Sequence, residues 1–151
     1  MELRTEIEIA RSAAEVWKAL TDFSGYGKWN PVLFEIDGAL GEGEKLRLSF
    51  SQPMGRVTTI RPTITLVSPE KELRWRSRFL WRGLFEAEQF FLLTELPSGS
   101  TRLTHGENFH GVMSKRYAPT LPATARSFAK MNEALKDRVE GREPRHRVRP
   151  R

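Results

Sequence analysis

The chain has 151 residues, 38% of them hydrophobic, and 25 Lys and Arg against 19 Asp and Glu give a formal net charge of +6. That length suits one domain with its own core. The absence of cysteine excludes a disulfide framework, a thiol nucleophile and a zinc–thiolate site. The excess charge sits in residues 141–151, GREPRHRVRPR, where five arginines face one glutamate, leaving 20 basic and 18 acidic side chains in residues 1–140. The expected organisation is a near-neutral domain over 1–140 followed by a basic, disordered tail over 141–151. No apolar run approaches the ~20 residues of a membrane span. The opening MELRTEIEIA alternates and has no signal-peptide core, so cytoplasm is the expected location.

Leu3, Thr5, Ile7 and Ile9 alternate with Arg4, Glu6 and Glu8, which predicts a half-buried first strand. Ser12-Ala-Ala-Glu15 is a capping box, so a short helix follows with Val16, Leu20 and Phe23 on its apolar side. The stretch TDFSGYGKWNP, Thr21 to Pro31, predicts a second short helix ended by Pro31. Its rings, Phe23, Tyr26 and Trp29, are either a plug between helices or a lid. Gly25 and Gly27 favour a segment able to shift, with Trp29 at a cavity mouth.

From Val32 to His110 the chain reads as six consecutive strands broken by Gly, Pro and Ser clusters, at spacings that suit antiparallel hairpins. Pro62 in TTIRPTITLV predicts an edge position or a bulge. After Gly111, the residues Leu121, Ala125, Phe128, Asn132, Leu135 and Val139 recur at helical spacing and predict a long helix, with Pro119 and Pro122 at its start. Only that helix is long enough to cover one face of the sheet.

Strand register adds a picture of the inner wall. In KELRWRSRFLW one face carries Leu73, Trp75, Ser77 and Phe79, the other Glu72, Arg74, Arg76 and Arg78. A three-residue loop, Arg82-Gly83-Leu84, sets Trp75 opposite Phe91 and Ser77 opposite Gln89, with Arg78 facing Glu88 outside. A five-residue loop, Leu96 to Ser100, sets Leu93 opposite Leu103, Phe91 opposite His105 and Gln89 opposite Glu107. A polar row of Ser77, Gln89 and Glu107 then crosses an apolar surface, while Phe90 and Leu92 lie outside near Leu80, Trp81, Leu84 and Phe85. That outer patch predicts weak self-association into a homodimer. For the polar row three readings stand: mutual satisfaction with Asn132, contact with the polar end of a ligand, or proton transfer by Glu107 or His105. His105, Glu107 and His110 do not form a metal site, because His110 has the opposite strand parity. No dinucleotide, phosphate-loop or nucleophile-elbow motif is present, and Trp17 and Trp75 read as core, so no specific nucleic-acid binding is expected.

The words AAEVWKALTDFSGYGKWNP, ELRWRSRF, GLFEAEQFFLL, TRLTHGENFHG and FAKMNEALK, in this order and spacing, resemble the START-like superfamily called SRPBCC, in its polyketide-cyclase/dehydrase-type subgroup. The resemblance covers about residues 3–140. It implies an α+β helix-grip fold: a curved antiparallel sheet of about seven strands around a long C-terminal helix, with two short helices after the first strand. It also implies an apolar cavity for lipids, polyketides or aromatic-like molecules, in a superfamily that holds both enzymes and binders. Ala87 and Gln89 stand where this subgroup usually has Gly and His. The expected function is binding of a small hydrophobic ligand without cofactor or metal. The expected contacts are Trp29, Trp75, Ser77, Phe79, Gln89, Phe91, His105, Glu107, Phe109, Phe128 and Asn132. One alternative is a cyclase-, dehydratase- or aromatase-type enzyme with Glu107 and His105 as acid and base. Another is an interaction module recruited by the basic tail.

Overall fold

The structure is a computed structural model that describes residues 1–52, 55–79 and 84–143. The tail expected to be disordered lies outside the described residues from 144 onward. In chain order the elements are β1 (Glu2–Ile9), α1 (Ala13–Thr21), a 3₁₀ helix (Phe23–Lys28), β2 (Leu33–Asp37), β3 (Arg47–Ser51), β4 (Val57–Ile60), β5 (Thr63–Ser68), β6 (Glu72–Phe79), β7 (Phe85–Glu95), β8 (Thr101–His110), a second 3₁₀ helix (Ser114–Thr120) and α2 (Leu121–Glu140). Ser12 caps α1, its hydroxyl accepting from the Glu15 amide at 3.3 Å.

Among the described residues there are eight strands, where about seven were expected, because TTIRPTITLV divides at Pro62. Before it, β4 pairs with β3; after it, β5 pairs with β6. Proline has no amide to donate to a ladder. Its carbonyl still accepts from the Leu46 amide at 2.8 Å, and the Lys45–Thr63 bridge joins the two sheets there. The order is β1-β8-β7-β6-β5 in one sheet and β2-β3-β4 in the other, all antiparallel. The result is a curved antiparallel wall with α2 against its inner face, an α+β helix-grip architecture.

The apolar side chains divide into two clusters. The larger joins α1, the first 3₁₀ helix and the second half of α2 to the strands, through Val16, Leu20, Ile64, Leu73, Ala134 and Leu135. The smaller holds Phe85, Ala87 and Phe109. In the larger one, Phe23, Tyr26 and Trp29 are all buried; Tyr26 lies 4.7 Å from Trp29 and donates its hydroxyl to the Leu20 carbonyl at 2.5 Å. The rings are therefore a plug, and the expected lid is corrected. Gly25 is itself buried, and a Cβ there would meet the exposed Asp22 side chain, its Oδ2 at 2.4 Å. The turn after it is fixed by Asn30, whose Oδ1 accepts from the amides of Val32 and Leu33 at 2.9 Å each.

The β7–β8 register is as expected, with Phe91 opposite His105, Gln89 opposite Glu107 and Leu93 opposite Leu103. The β6–β7 register is not. Trp75 pairs with Gln89 and Ser77 with Ala87, a slip of two residues from the expected alignment. The connection spans residues 80–84, of which only Leu84 is described, so the three-residue loop is corrected to five. A two-residue slip keeps every side chain on its own face, so inside and outside stay as expected. On the outer face Arg78 meets Glu86 at 3.0 Å, and Arg74 meets Glu88 at 3.1 Å.

Phe90 points outward, yet it is only 1% exposed. Arg74 and Arg4 lie over its ring at 5.0 and 5.7 Å, and Gly106 leaves room for its edge. Phe85 is buried too. The exposed patch that carried the expected self-association is therefore absent at these two rings; Leu80 and Trp81 lie outside the described residues.

Candidate functional site

Between the two apolar clusters lies a pocket of about 350 Å³. One wall is β6, β7 and β8, through Ser77, Phe79, Phe85, Ala87, Gln89, Glu107 and Phe109. A second is β2, β3 and β4, with Leu33, Leu48, Phe50, Ser51, Thr58 and Ile60. The first half of α2 closes it through Thr124, Ser127, Phe128 and Met131, and Tyr117 and Thr120 come from the 3₁₀ helix before it. Short polar side chains on that helix face, at spacings of three and four, leave the space that leucines would fill. That signal was present in the sequence, hidden because the apolar stripe drew the eye to the neighbouring positions.

Of the eleven expected contacts, Ser77, Phe79, Gln89, Glu107, Phe109 and Phe128 reach the pocket wall. Trp75, Phe91, His105 and Asn132 face inward but lie behind it, 0–3% exposed. Trp29 belongs to the larger core cluster and is corrected as a contact. Whether an inward side chain borders the void depends on where α2 sits over it, which strand parity does not report.

The residues behind the wall form a closed network. The Trp75 indole donates to Gln89 Oε1 at 3.0 Å, and Gln89 Nε2 lies 2.7 Å from His105 Nε2. His105 Nδ1 lies 2.8 Å from Asn132 Oδ1. Asn132 Nδ2 donates to Thr5 Oγ1 at 2.9 Å, and Thr5 Oγ1 donates to the His105 carbonyl at 2.7 Å. Amide oxygens accept and amide nitrogens donate, so the chain has one consistent direction. It requires a neutral imidazole with its proton on Nδ1. The ring is also stacked between Phe91 at 4.4 Å and Phe128 at 4.0 Å. Burial lowers its pKa to about 3 from 6.5, against the opposing effect of the Asn132 hydrogen bond. With both ring nitrogens engaged and no exposure, His105 orients Gln89 and Asn132 and does not touch the pocket. Neither ring nitrogen of His105 is open to the pocket.

Glu107 is different. Among the described residues nothing hydrogen-bonds to its carboxyl or pairs with it, although it sits opposite Gln89 in the ladder. Protein surrounds it on the wall side while the pocket gives it some accessible surface, and burial raises its pKa from 4.5 to about 7. Gln89 and Asn132 are satisfied by His105, so the expected mutual satisfaction of the polar row leaves Glu107 out. Of the row, Gln89 belongs to that network, Ser77 lies opposite Ala87 outside it, and Glu107 keeps a free carboxyl. His110, on the opposite parity, is exposed at the end of β8 and opposite Glu86. Among the described residues no helix is long and apolar enough to cross a membrane.

Several solved structures share the architecture. The Zhui aromatase/cyclase from Streptomyces sp. R1128 superposes with a TM-score of 0.75 at 16% identity, covering 93% of each chain. Protein NE0264 from Nitrosomonas europaea gives 0.73 at 19% identity, with 93% of this chain and 95% of that one covered. Ara h 8.0201 gives 0.70 at 12% identity over 93% and 98%. No curated protein matches the chain in sequence. At these identities the likeness is one of fold. The sequence itself matches the family described as polyketide cyclase / dehydrase and lipid transport over residues 1–140, and the chain belongs to that family.

Proposed function

We propose that the protein binds a small hydrophobic molecule in the pocket between the sheet and α2, with the polar end of that molecule at Glu107. The observation that carries this reading is the unpartnered carboxyl on an otherwise largely apolar wall. Glu107 is half-buried with its carboxyl open to the pocket, where a hydrogen-bond donor on a bound molecule can complete it. Membership of a family that includes lipid transport supports the same reading.

The experiment is native mass spectrometry of the purified protein, with and without added 1-naphthalenemethanol. The expected result is an adduct lost on denaturation, and lost also in Ala87→Phe, which places a ring in the void. A protein that carries nothing and takes up no probe would reject the reading.

A second reading is favoured by one observation. A carboxyl held near neutrality, as burial holds Glu107 at about 7, suits a general acid or base. A cyclase- or dehydratase-type reaction would then use Glu107 without His105. Turnover lost in Glu107→Gln with binding retained separates this from binding alone. An interaction-module role rests on the tail, most of which lies outside the described residues.

A further inference from the structure

Ionisable groups on the pocket wall are few. Among the described lining residues Glu107 is the only Asp, Glu, Lys, Arg or His, and Tyr117 is the only other titratable side chain. On the neighbouring strands Glu107 faces Leu3 of β1 and Gln89 of β7, neither of them charged. Outer-face cations such as Arg74 and Arg78 are engaged with Glu88 and Glu86 on the far side of the sheet. Among the described lining residues the pocket therefore holds one carboxyl and no cation. Gln89, the nearest amide in the ladder, is neutral and holds one Nε2 hydrogen bond to His105 and one at Oε1 from Trp75.

From this charge inventory we infer that the pocket takes an apolar molecule whose polar end donates a hydrogen bond, a hydroxyl or an ammonium, and that it rejects carboxylates. This deepens the reading above and rests on it. A donor completes the free carboxyl. An anionic end has no cation to meet among the described lining residues and brings a second negative charge beside Glu107. Free fatty acids and acidic aromatic compounds are thereby excluded in favour of alcohols, phenols and amines of similar size.

The test uses four probes with one ring system: naphthalene, 1-naphthalenemethanol, 1-naphthylmethylamine and 1-naphthoate. Their affinities for the full chain are measured by calorimetry at pH 8, where Glu107 is ionised. The alcohol and the amine should each bind roughly tenfold or more tightly than naphthoate. In Glu107→Gln, naphthoate should come within about threefold of the alcohol, as the repulsive element is gone. An amine that exceeds the alcohol identifies an ionic partner; equal affinities identify a hydrogen-bond donor; both support the inference. Naphthoate binding as tightly as the alcohol to the wild type overturns it, as does discrimination that persists in Glu107→Gln. If naphthalene binds and the end groups make no difference, the selectivity fails while ligand binding stands. If none of the four binds, the proposed function falls with it.

Discussion

Two side chains on the inner face of β8, His105 and Glu107, are pushed by burial in opposite directions along the pH scale. For Glu107 the folded value is about 7 and the usual value 4.5, so the folded state holds its proton more tightly between them. Stability from this group is therefore present at low pH and lost as pH rises through 7. The full shift corresponds to about 3 kcal/mol, and access of water from the pocket reduces it to about 1–2 kcal/mol. Glu107→Gln, which mimics the protonated form, should stabilise the protein by about that amount at pH 8 and by almost nothing near pH 4. Urea denaturation at the two pH values checks this, and a variant less stable at pH 8 would contradict it.

His105 has the reverse sign: its folded value of about 3 lies below 6.5, so the unfolded chain takes up the proton first and stability falls as pH drops through that window. His105→Phe should cost about 2–4 kcal/mol at pH 7, by leaving the Gln89 amide and the Asn132 carbonyl unpaired. It should also flatten the decline between pH 6.5 and 3. An unchanged acid limb in that variant would place the titration elsewhere. The chemistry of these residues was only partly legible in the sequence. Strand alternation put Gln89, His105 and Glu107 on one face, but which of them partner one another depends on the reach of Trp75 and Asn132 from other elements.

Among elements, β6, β7 and β8 carry the pocket wall, and their faces were readable while their alignment was readable only in part. Charge alternation separates inside from outside because a one-residue slip buries carboxylates. A two-residue slip exchanges Arg78–Glu88 for Arg78–Glu86, an ion pair of the same kind, so outer charges cannot choose between the two. The alignment found instead lets the Trp75 indole reach Gln89 and sets Phe79 5.3 Å from Phe85. Across β1, β8 and β7 the packing is closest at Gly106, where a Cβ would lie 2.2 Å from the Leu3 carbonyl oxygen and 2.4 Å from the Phe90 ring. A backbone oxygen in a paired strand cannot give way without breaking the ladder. Gly106→Ala should therefore lower stability by about 3 kcal/mol, at the high end for overpacking. Chemical denaturation measures it, and a loss under about 1 kcal/mol would show that β1 yields.

Across the whole molecule, order and enclosure divide along α2. Its second half packs with α1 and the first 3₁₀ helix in the larger cluster, through Ala134 and Leu135; Phe128 and Met131 border both that cluster and the pocket, and Thr124 and Ser127 face the pocket. The element order and the long covering helix were legible from periodicity. The plug formed by Phe23, Tyr26 and Trp29 was not, since glycines that suggest movement also permit close packing. The wall from β2, β3 and β4 was missed because TTIRPTITLV keeps Ile60, Ile64 and Leu66 on one parity and so reads as a single strand, whereas it changes sheet at Pro62. The central claim is that the space between the two clusters, not the plugged core, receives an apolar molecule. Methyl-resolved NMR of the full chain during titration with 1-naphthalenemethanol tests this most directly. The account predicts shifts at the methyl groups of Leu33, Leu48, Ile60 and Met131, with those of Ile9, Val16 and Leu20 unmoved. Shifts confined to the latter group, or none at a saturating concentration of the probe, would contradict it.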